Sequence, residues 1–209
     1  MLCRRTPRPA RNAVPESSLP LIVCFGDSLT AGFQSPTPDC PDSLETPYGR
    51  YLEDRLRGRA LVHVSGVCGE LTAEMVRRFE RDVLACRPAW TVILGGTNDL
   101  GWECKPSEIM RHLTAMYEGA VAGSVRPVAV TVPSIRGCDD HIARRRELNA
   151  LIAGFCADRA FPCIDLFTAT AEPETGRLAL PYANDGLHLT TAGYVLLAEL
   201  LYAQVFKDL

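Results

Sequence analysis

Residues 21–32 read LIVCFGDSLTAG, and this stretch decides how the rest of the chain is read. Leu21 to Phe25 form an uninterrupted apolar run with Ile and Val inside it, which suits a strand covered on both faces. The run breaks at Gly26-Asp27, and Ser28 follows at once. A buried strand that stops so abruptly presents something at its carboxyl end, and the group on offer is the Ser28 hydroxyl. A serine hydroxyl is a weak nucleophile by itself, so the reading requires a base and a site for negative charge elsewhere in the chain.

Runs of the same kind recur. Pro20–Phe25, Ala60–Ser65, Trp90–Leu94, Val128–Val132 and Pro162–Leu166 are short, apolar or β-branched, and lack strict alternation. Helical patterns separate them. PYGRYLEDRLRG (47–58) places Tyr48, Leu52 and Leu56 on one face, with Gly58 as a stop. ELTAEMVRRFERDVLAC (70–86) does the same with Leu71, Met75, Phe79 and Val83, and Pro88 follows its end. Ser107–Val121 and Ile142–Ala160 follow the same logic, and a last helix opening near Thr190–Thr191 contributes Leu196, Leu200 and Leu201. This β-α-β-α alternation predicts an α/β fold: a parallel sheet of about five strands, joined by right-handed crossovers and covered on both faces. Ligands of such sheets bind outside the carboxyl ends of the strands. Ser28, Gly69 and Asn98 follow the first three strands and therefore converge on one edge.

The 209 residues are 47% hydrophobic and 22% charged, enough for one sizeable core. No Gly/Ser-rich or Pro-rich linker divides the middle, so one domain is expected over residues 20–209, after a mobile tail at 1–19. The net charge of −3 argues against a nucleic-acid partner. The one dense basic run, Arg144-Arg145-Arg146, falls in a helical stretch and reads as a solvated face. No run approaches the roughly 18 consecutive apolar residues of a membrane span. MLCRRTPRPARNAVPESS at the amino end lacks the apolar core of a secretory signal, which points to the cytoplasm. The nine cysteines show no C-x-x-C pair, and no metal site is signalled. Cys24, Cys86, Cys156 and Cys163 read as packed free thiols in apolar contexts. Cys40, Cys104 and Cys138 lie in loops, where one disulfide or free thiols both fit.

Serine chemistry needs an imidazole and a carboxylate to orient it. Of four histidines, His63 sits in a strand, His112 in a helix and His141 at a helix start, all structural or solvent-facing positions. His188 lies in ANDGLHLTTAGY (183–194), just ahead of the last helix. Asp185 precedes it by three residues, and Gly186 lets the chain turn so that the carboxylate folds back on one ring nitrogen. LGGTNDLGW (94–102) follows the third strand, and Asn98 there can aim an amide at a developing oxyanion. Asp99 reads as a residue that holds this loop. In VSGVCGE (64–70), Gly69 directly precedes the helix pattern and offers an unpaired N–H; Gly66 is the alternative.

Together, FGDSLT, the glycine after the second strand, GGTND and DGLH resemble, in order, the four blocks of the SGNH (GDSL-type) hydrolase family. The resemblance spans Val23 to Gly193. It implies a three-layer α/β/α, flavodoxin-like fold, with Ser28 as nucleophile, His188 as general base and Asp185 orienting it. It further implies an oxyanion hole built from the backbone N–H of Ser28, that of Gly69 and the side chain of Asn98. No G-x-S-x-G elbow surrounds Ser28, which separates the chain from the α/β-hydrolases despite the same Ser…Asp…His order.

The expected activity is hydrolysis of a small-molecule carboxylic ester, of short acyl chain, through an acyl-enzyme and without a cofactor. The same residues could serve a transacylase, and a non-catalytic ligand-binding protein is a third reading. The Pro-rich stretch 33–49 is expected to wall the substrate pocket, together with Trp102 and Tyr182.

Overall fold

The computed structural model describes residues 19–38 and 40–209. The tail expected over residues 1–19 lies outside them apart from Leu19, as do Cys3 and Asp39. The first strand, β1 (Leu21–Gly26), runs straight into α1 (Ser28–Ala31), and a small antiparallel pair follows, β2 (Phe33–Gln34) with β3 (Leu44–Glu45). Then come α2 (Tyr48–Leu56), β4 (Leu61–Gly66), α3 (Thr72–Asp82), β5 (Trp90–Leu94), α4 (Thr97–Gly101), α5 (Pro106–Ala122) and β6 (Arg126–Val130). The chain closes with α6 (Ile142–Arg159), β7 (Cys163–Ile164), α7 (Leu166–Thr170) and α8 (Thr191–Leu201).

Five strands form one parallel sheet in the order β4-β1-β5-β6-β7. Successive side chains of a strand point to opposite faces, and β1 supplies both layers of core. Ile22 and Cys24 pack with Tyr48, Leu52 and Leu56 of α2 and with Tyr194, Leu197 and Leu201 of α8. Val23 and Phe25 pack on the other face with Met75 and Phe79 of α3, Leu113 and Tyr117 of α5, and Ile152 of α6. Each such buried side chain contributes about 1.5–3 kcal/mol relative to exposure. The strand order reverses at β1, with β4 on one side and β5 on the other. This is the point where sheets of this order open a crevice beyond their carboxyl ends.

Several boundaries and faces differ from the expectation, each for a local reason. Helix α3 begins at Thr72, not beside Gly69, because Glu74 reaches back to the Leu71 N–H at 2.9 Å and fixes the first turn there. Strand β6 ends before Val132, whose N–H and carbonyl are taken by the Asn149 side chain at 2.8 and 2.9 Å. Strand β7 has two residues rather than five: it pairs only with β6, and Asp165 turns to cap α7 through the Thr168 N–H at 3.0 Å. In α8 the buried face is Tyr194, Leu197, Ala198 and Leu201, so Leu196 and Leu200 lie at its flanks. Cys86 is exposed rather than packed, and the cysteines among the described residues, Cys40, Cys104 and Cys138 included, are all free thiols.

The triple arginine run is not a solvated face. Three consecutive helical positions sweep through about 200° at 3.6 residues per turn, so one of them turns inward. Arg144 binds the carbonyls of Glu103 and Cys104, Arg146 lies over the Phe167 ring, and Arg145 is 1% exposed. Among the described residues no helix is long and apolar enough to cross a membrane.

Candidate active site

Ser28 is the first residue of α1 and is 3% exposed. Asp27 caps that helix by accepting the Leu29 N–H at 2.9 Å, which leaves Ser28 at the end of β1 with its hydroxyl directed across the sheet edge. The Ser28 Oγ lies 3.0 Å from His188 Nε2, and His188 Nδ1 lies 2.7 Å from Asp185 Oδ2. With Nδ1–H donated to the carboxylate, Nε2 is left to accept the serine hydroxyl. That is the tautomer a general base requires.

The loop around Asp185 is built to hold this geometry. Asp185 Oδ1 accepts the N–H groups of Leu187 and His188 at 2.9 and 2.7 Å, so the carboxylate folds back on its own loop. Gly186 makes the turn at φ +93°, and a Cβ there would run into the Arg136 carbonyl. Ser35 Oγ donates to Asp185 Oδ2 at 2.6 Å. Partial burial works to raise the Asp185 pKa, but the bonds from Ser35, His188 and Leu187 outweigh it and hold the carboxyl well below the ordinary range. Asn184 in turn grips both sides of Ser35, accepting its N–H at 2.6 Å and donating to its carbonyl at 3.2 Å. The Phe33 ring packs edge-on against the His188 imidazole, with centroids 4.9 Å apart.

The residues expected to stabilise an oxyanion gather on the same edge. Gly69 adopts φ +78° in the loop between β4 and α3, and a Cβ there would meet nothing within 4 Å. Gly66 is instead the last residue of β4, where a Cβ would collide with the Ala31 backbone. Among the described residues the Gly69 N–H donates to no acceptor, although the helix start is not what frees it. Asn98 Nδ2 donates to the Glu70 carbonyl at 2.9 Å, tying the two loops together and leaving its second hydrogen unspent. Asp99 lies in α4 rather than in a loop, and it ties that helix to the start of α3: it accepts the Thr72 N–H at 3.0 Å and the Thr72 hydroxyl at 2.5 Å.

A cleft of about 480 Å³ opens beside these groups, with Thr97, Asn98, Trp102, Arg145, Asp185 and Leu187 in its wall. Trp102, 76% exposed, stands there as expected. Tyr182 does not; it packs on the core beside α8. The stretch 33–49 also departs from expectation. It contributes Phe33 and Ser35 as a buttress behind the imidazole and carboxylate rather than a side of this cleft. A depression of similar size, around Trp90, Val121 and Phe161, lies at the opposite end of the sheet where β5 and β6 begin, away from Ser28.

The reading of the residues passed over Ser35, Asn184 and Arg145. Ser35 and Asn184 sit about 150 positions apart, and no local pattern links them. Arg145 was hidden by its two charged neighbours.

The sheet order and the hydrogen-bonded serine, histidine and aspartate define a class, that of the GDSL-like lipases and acylhydrolases. The model of the GDSL-like lipase/acylhydrolase family matches residues 24–196, and the chain belongs to that family of ester hydrolases. An uncharacterized lipoprotein of Bacillus subtilis, YqeF, is 29% identical over 127 residues, which are 57% of this chain. The chain spans about half, 51%, of the length of that curated relative. Among solved structures, a GDSL-like lipase from Bacteroides thetaiotaomicron superposes with a TM-score of 0.74 at 22% identity, covering 90% of this chain and 89% of that one. A lipase/acylhydrolase from Enterococcus faecalis gives 0.75 at 24%, covering 90% and 96%. A catalytic mutant of an acetylxylan esterase from Geobacillus stearothermophilus gives 0.73 at 19%, covering 90% and 94%. At these identities the structural likeness is one of fold.

Proposed function

We propose that the protein is a serine esterase that hydrolyses carboxylic esters of short acyl chain through an acyl-enzyme on Ser28. The observation that carries this reading is the hydrogen-bonded chain from Ser28 Oγ through both nitrogens of His188 to Asp185. As Ser28 Oγ attacks the ester carbonyl carbon, His188 Nε2 takes its proton, and the imidazolium is stabilised by Asp185. The carbonyl oxygen gains charge and is held by the N–H groups of Ser28 and Gly69 and by the amide of Asn98. On collapse, His188 returns the proton to the leaving alcohol. Water then repeats the sequence on the acyl-enzyme and frees the acid.

Short acyl groups fit the size of the cleft, about 480 Å³, where Thr97, Asn98, Arg145 and Asp185 alternate with Trp102, Ile135 and Leu187. The acetylxylan esterase neighbour, whose substrate carries acetyl groups, agrees in direction.

A fluorophosphonate probe followed by peptide mass spectrometry tests the nucleophile. The expected label is on Ser28 alone, since Ser65 is engaged by Arg78 and Ser134 donates to the Gly176 carbonyl. A label on Ser65 or Ser134 would overturn the assignment. A panel of p-nitrophenyl esters tests acyl size: kcat/KM should be greatest between acetyl and hexanoyl, and a steady rise out to palmitoyl would refute the short-chain reading.

A further inference from the structure

The cleft contains an arginine for which the ester-cleaving machinery has no use. Arg145 lies in α6, almost wholly buried, and lines the cleft with Asn98. Nη1 donates to the Pro133 carbonyl at 3.0 Å and weakly to Thr97 Oγ1 at 3.4 Å, while Nε is sealed from solvent with no acceptor. The ion pairs of this neighbourhood join Arg136 to Glu172 and Arg177 to Asp139, and Arg145 takes part in neither.

Arg78 shows what a purely structural buried arginine looks like in the same protein. Its guanidinium donates to both oxygens of Glu70, to Asp82, to the Ser65 hydroxyl and to the Gly26 carbonyl. Two carboxylates answer its charge. Arg145 has no carboxylate in contact: Asp27, buried beside Ser28, acts on it only from a distance, and burial, the larger effect, lowers its pKa to about 10, so it remains a cation at neutral pH. A desolvated guanidinium without a counter-charge in contact is costly, and the cost is recovered when an anion reaches it. The terminal N–H groups that remain free suit an oxyanion such as a carboxylate.

Two other basic side chains line the cleft, Arg136 and His141, and neither is buried as Arg145 is. Arg136 is held by Glu172 and by the Leu178 carbonyl. Asp185, the carboxylate in the wall, is already saturated by Ser35, His188 Nδ1 and two backbone N–H groups, which limits its repulsion of an incoming anion.

We propose that Arg145 recognises a carboxylate on the substrate, so that the preferred substrates are esters carrying a second, free carboxylate on the acyl or the alcohol part. The proposal rests on the esterase reading above and names the substrate class of that same site.

Two matched pairs test it with the intact protein. One compares p-nitrophenyl hydrogen succinate with its methyl ester, placing the carboxylate on the acyl side. The other compares O-acetylglycolate with its methyl ester, placing it on the alcohol side. The wild type should favour the anionic member of one pair by tenfold or more in kcat/KM, with the preference shrinking as salt is added. The pair that shows it assigns the side. Arg145→Met should bring that ratio to about one. Equal turnover within both pairs would overturn the proposal, whether or not the variant folds, and a preference that survives in Arg145→Met would overturn the assignment to this residue. Succinate should also raise the melting temperature of the wild type and not that of the variant. That readout needs no turnover, so a failed esterase reading and a failed carboxylate site give different results.

Discussion

Asp27→Asn is expected to change how the stability of the protein depends on pH. Asp27 is fully buried next to Ser28, with Oδ1 on the Leu29 N–H and Oδ2 without any partner. Burial pushes its carboxyl up from 3.8 to about 7. The Leu29 N–H and the Arg145 charge oppose that rise, while Asp99 and Glu70 add to it. Below about pH 3.8 both folded and unfolded chains hold this proton, and the group makes no difference. Between 3.8 and 7 the unfolded chain releases the proton and the folded one keeps it, so stability falls as pH rises. Above 7 the full cost of burying the ionised form is present. At about 1.4 kcal/mol per pH unit, this amounts to ~4 kcal/mol across the window. Asparagine keeps the Oδ1 acceptor and removes the titration. Urea unfolding of wild type and variant, from pH 4 to pH 8, isolates the effect, because every other titrating group cancels in the difference. The advantage of Asp27→Asn should grow by roughly 3–4 kcal/mol from the acid to the alkaline end. Parallel stability curves would refute the argument, since they would mean that Asp27 ionises in the folded protein as readily as in water.

Two further substitutions probe the site itself. Asn98→Ala removes the proposed oxyanion donor together with the tie to the Glu70 carbonyl, so kcat should fall by about 10²–10³ with KM little changed, alongside a stability loss of about 1 kcal/mol. Melting temperature and steady-state kinetics on one preparation check both parts, and a destabilised but fully active variant would remove Asn98 from the site. Ser35→Ala withdraws one hydrogen bond from the ionised Asp185 and frees the carboxylate to shift against His188, which should lower kcat about tenfold without altering KM. Unchanged kcat would show that the two backbone N–H groups suffice to hold Asp185.

The order of elements was legible because it is written in short-range pattern. The alternation of apolar runs with helical stripes follows from backbone periodicity alone, and β5 begins and ends where its residues predict. The aspartate and histidine were legible for a related reason: three residues separate them, so one tight turn suffices to bring carboxylate and ring together. Ser28 could be read because it stands two residues past the end of a strand. Asp99 was readable as a residue with a holding role, but neither its helix nor its partner Thr72 was.

What the sequence by itself determined is therefore the local part: a parallel α/β sheet, a serine at the end of its first strand, and a histidine with its carboxylate ahead of the last helix. The tertiary structure alone decided which distant side chains complete them. Ser35 reaches Asp185 across 150 residues, Glu70 finds Arg78, and Tyr182 turns to the core instead of the cleft. Arg145 is the clearest case. Charge alone places all three arginines of its run on a solvated surface; helical periodicity requires one to turn inward, and only the docking of α6 determines which. A side chain's partners across the fold depend on where whole elements dock, and that information is spread over the entire core rather than held in the residues around it.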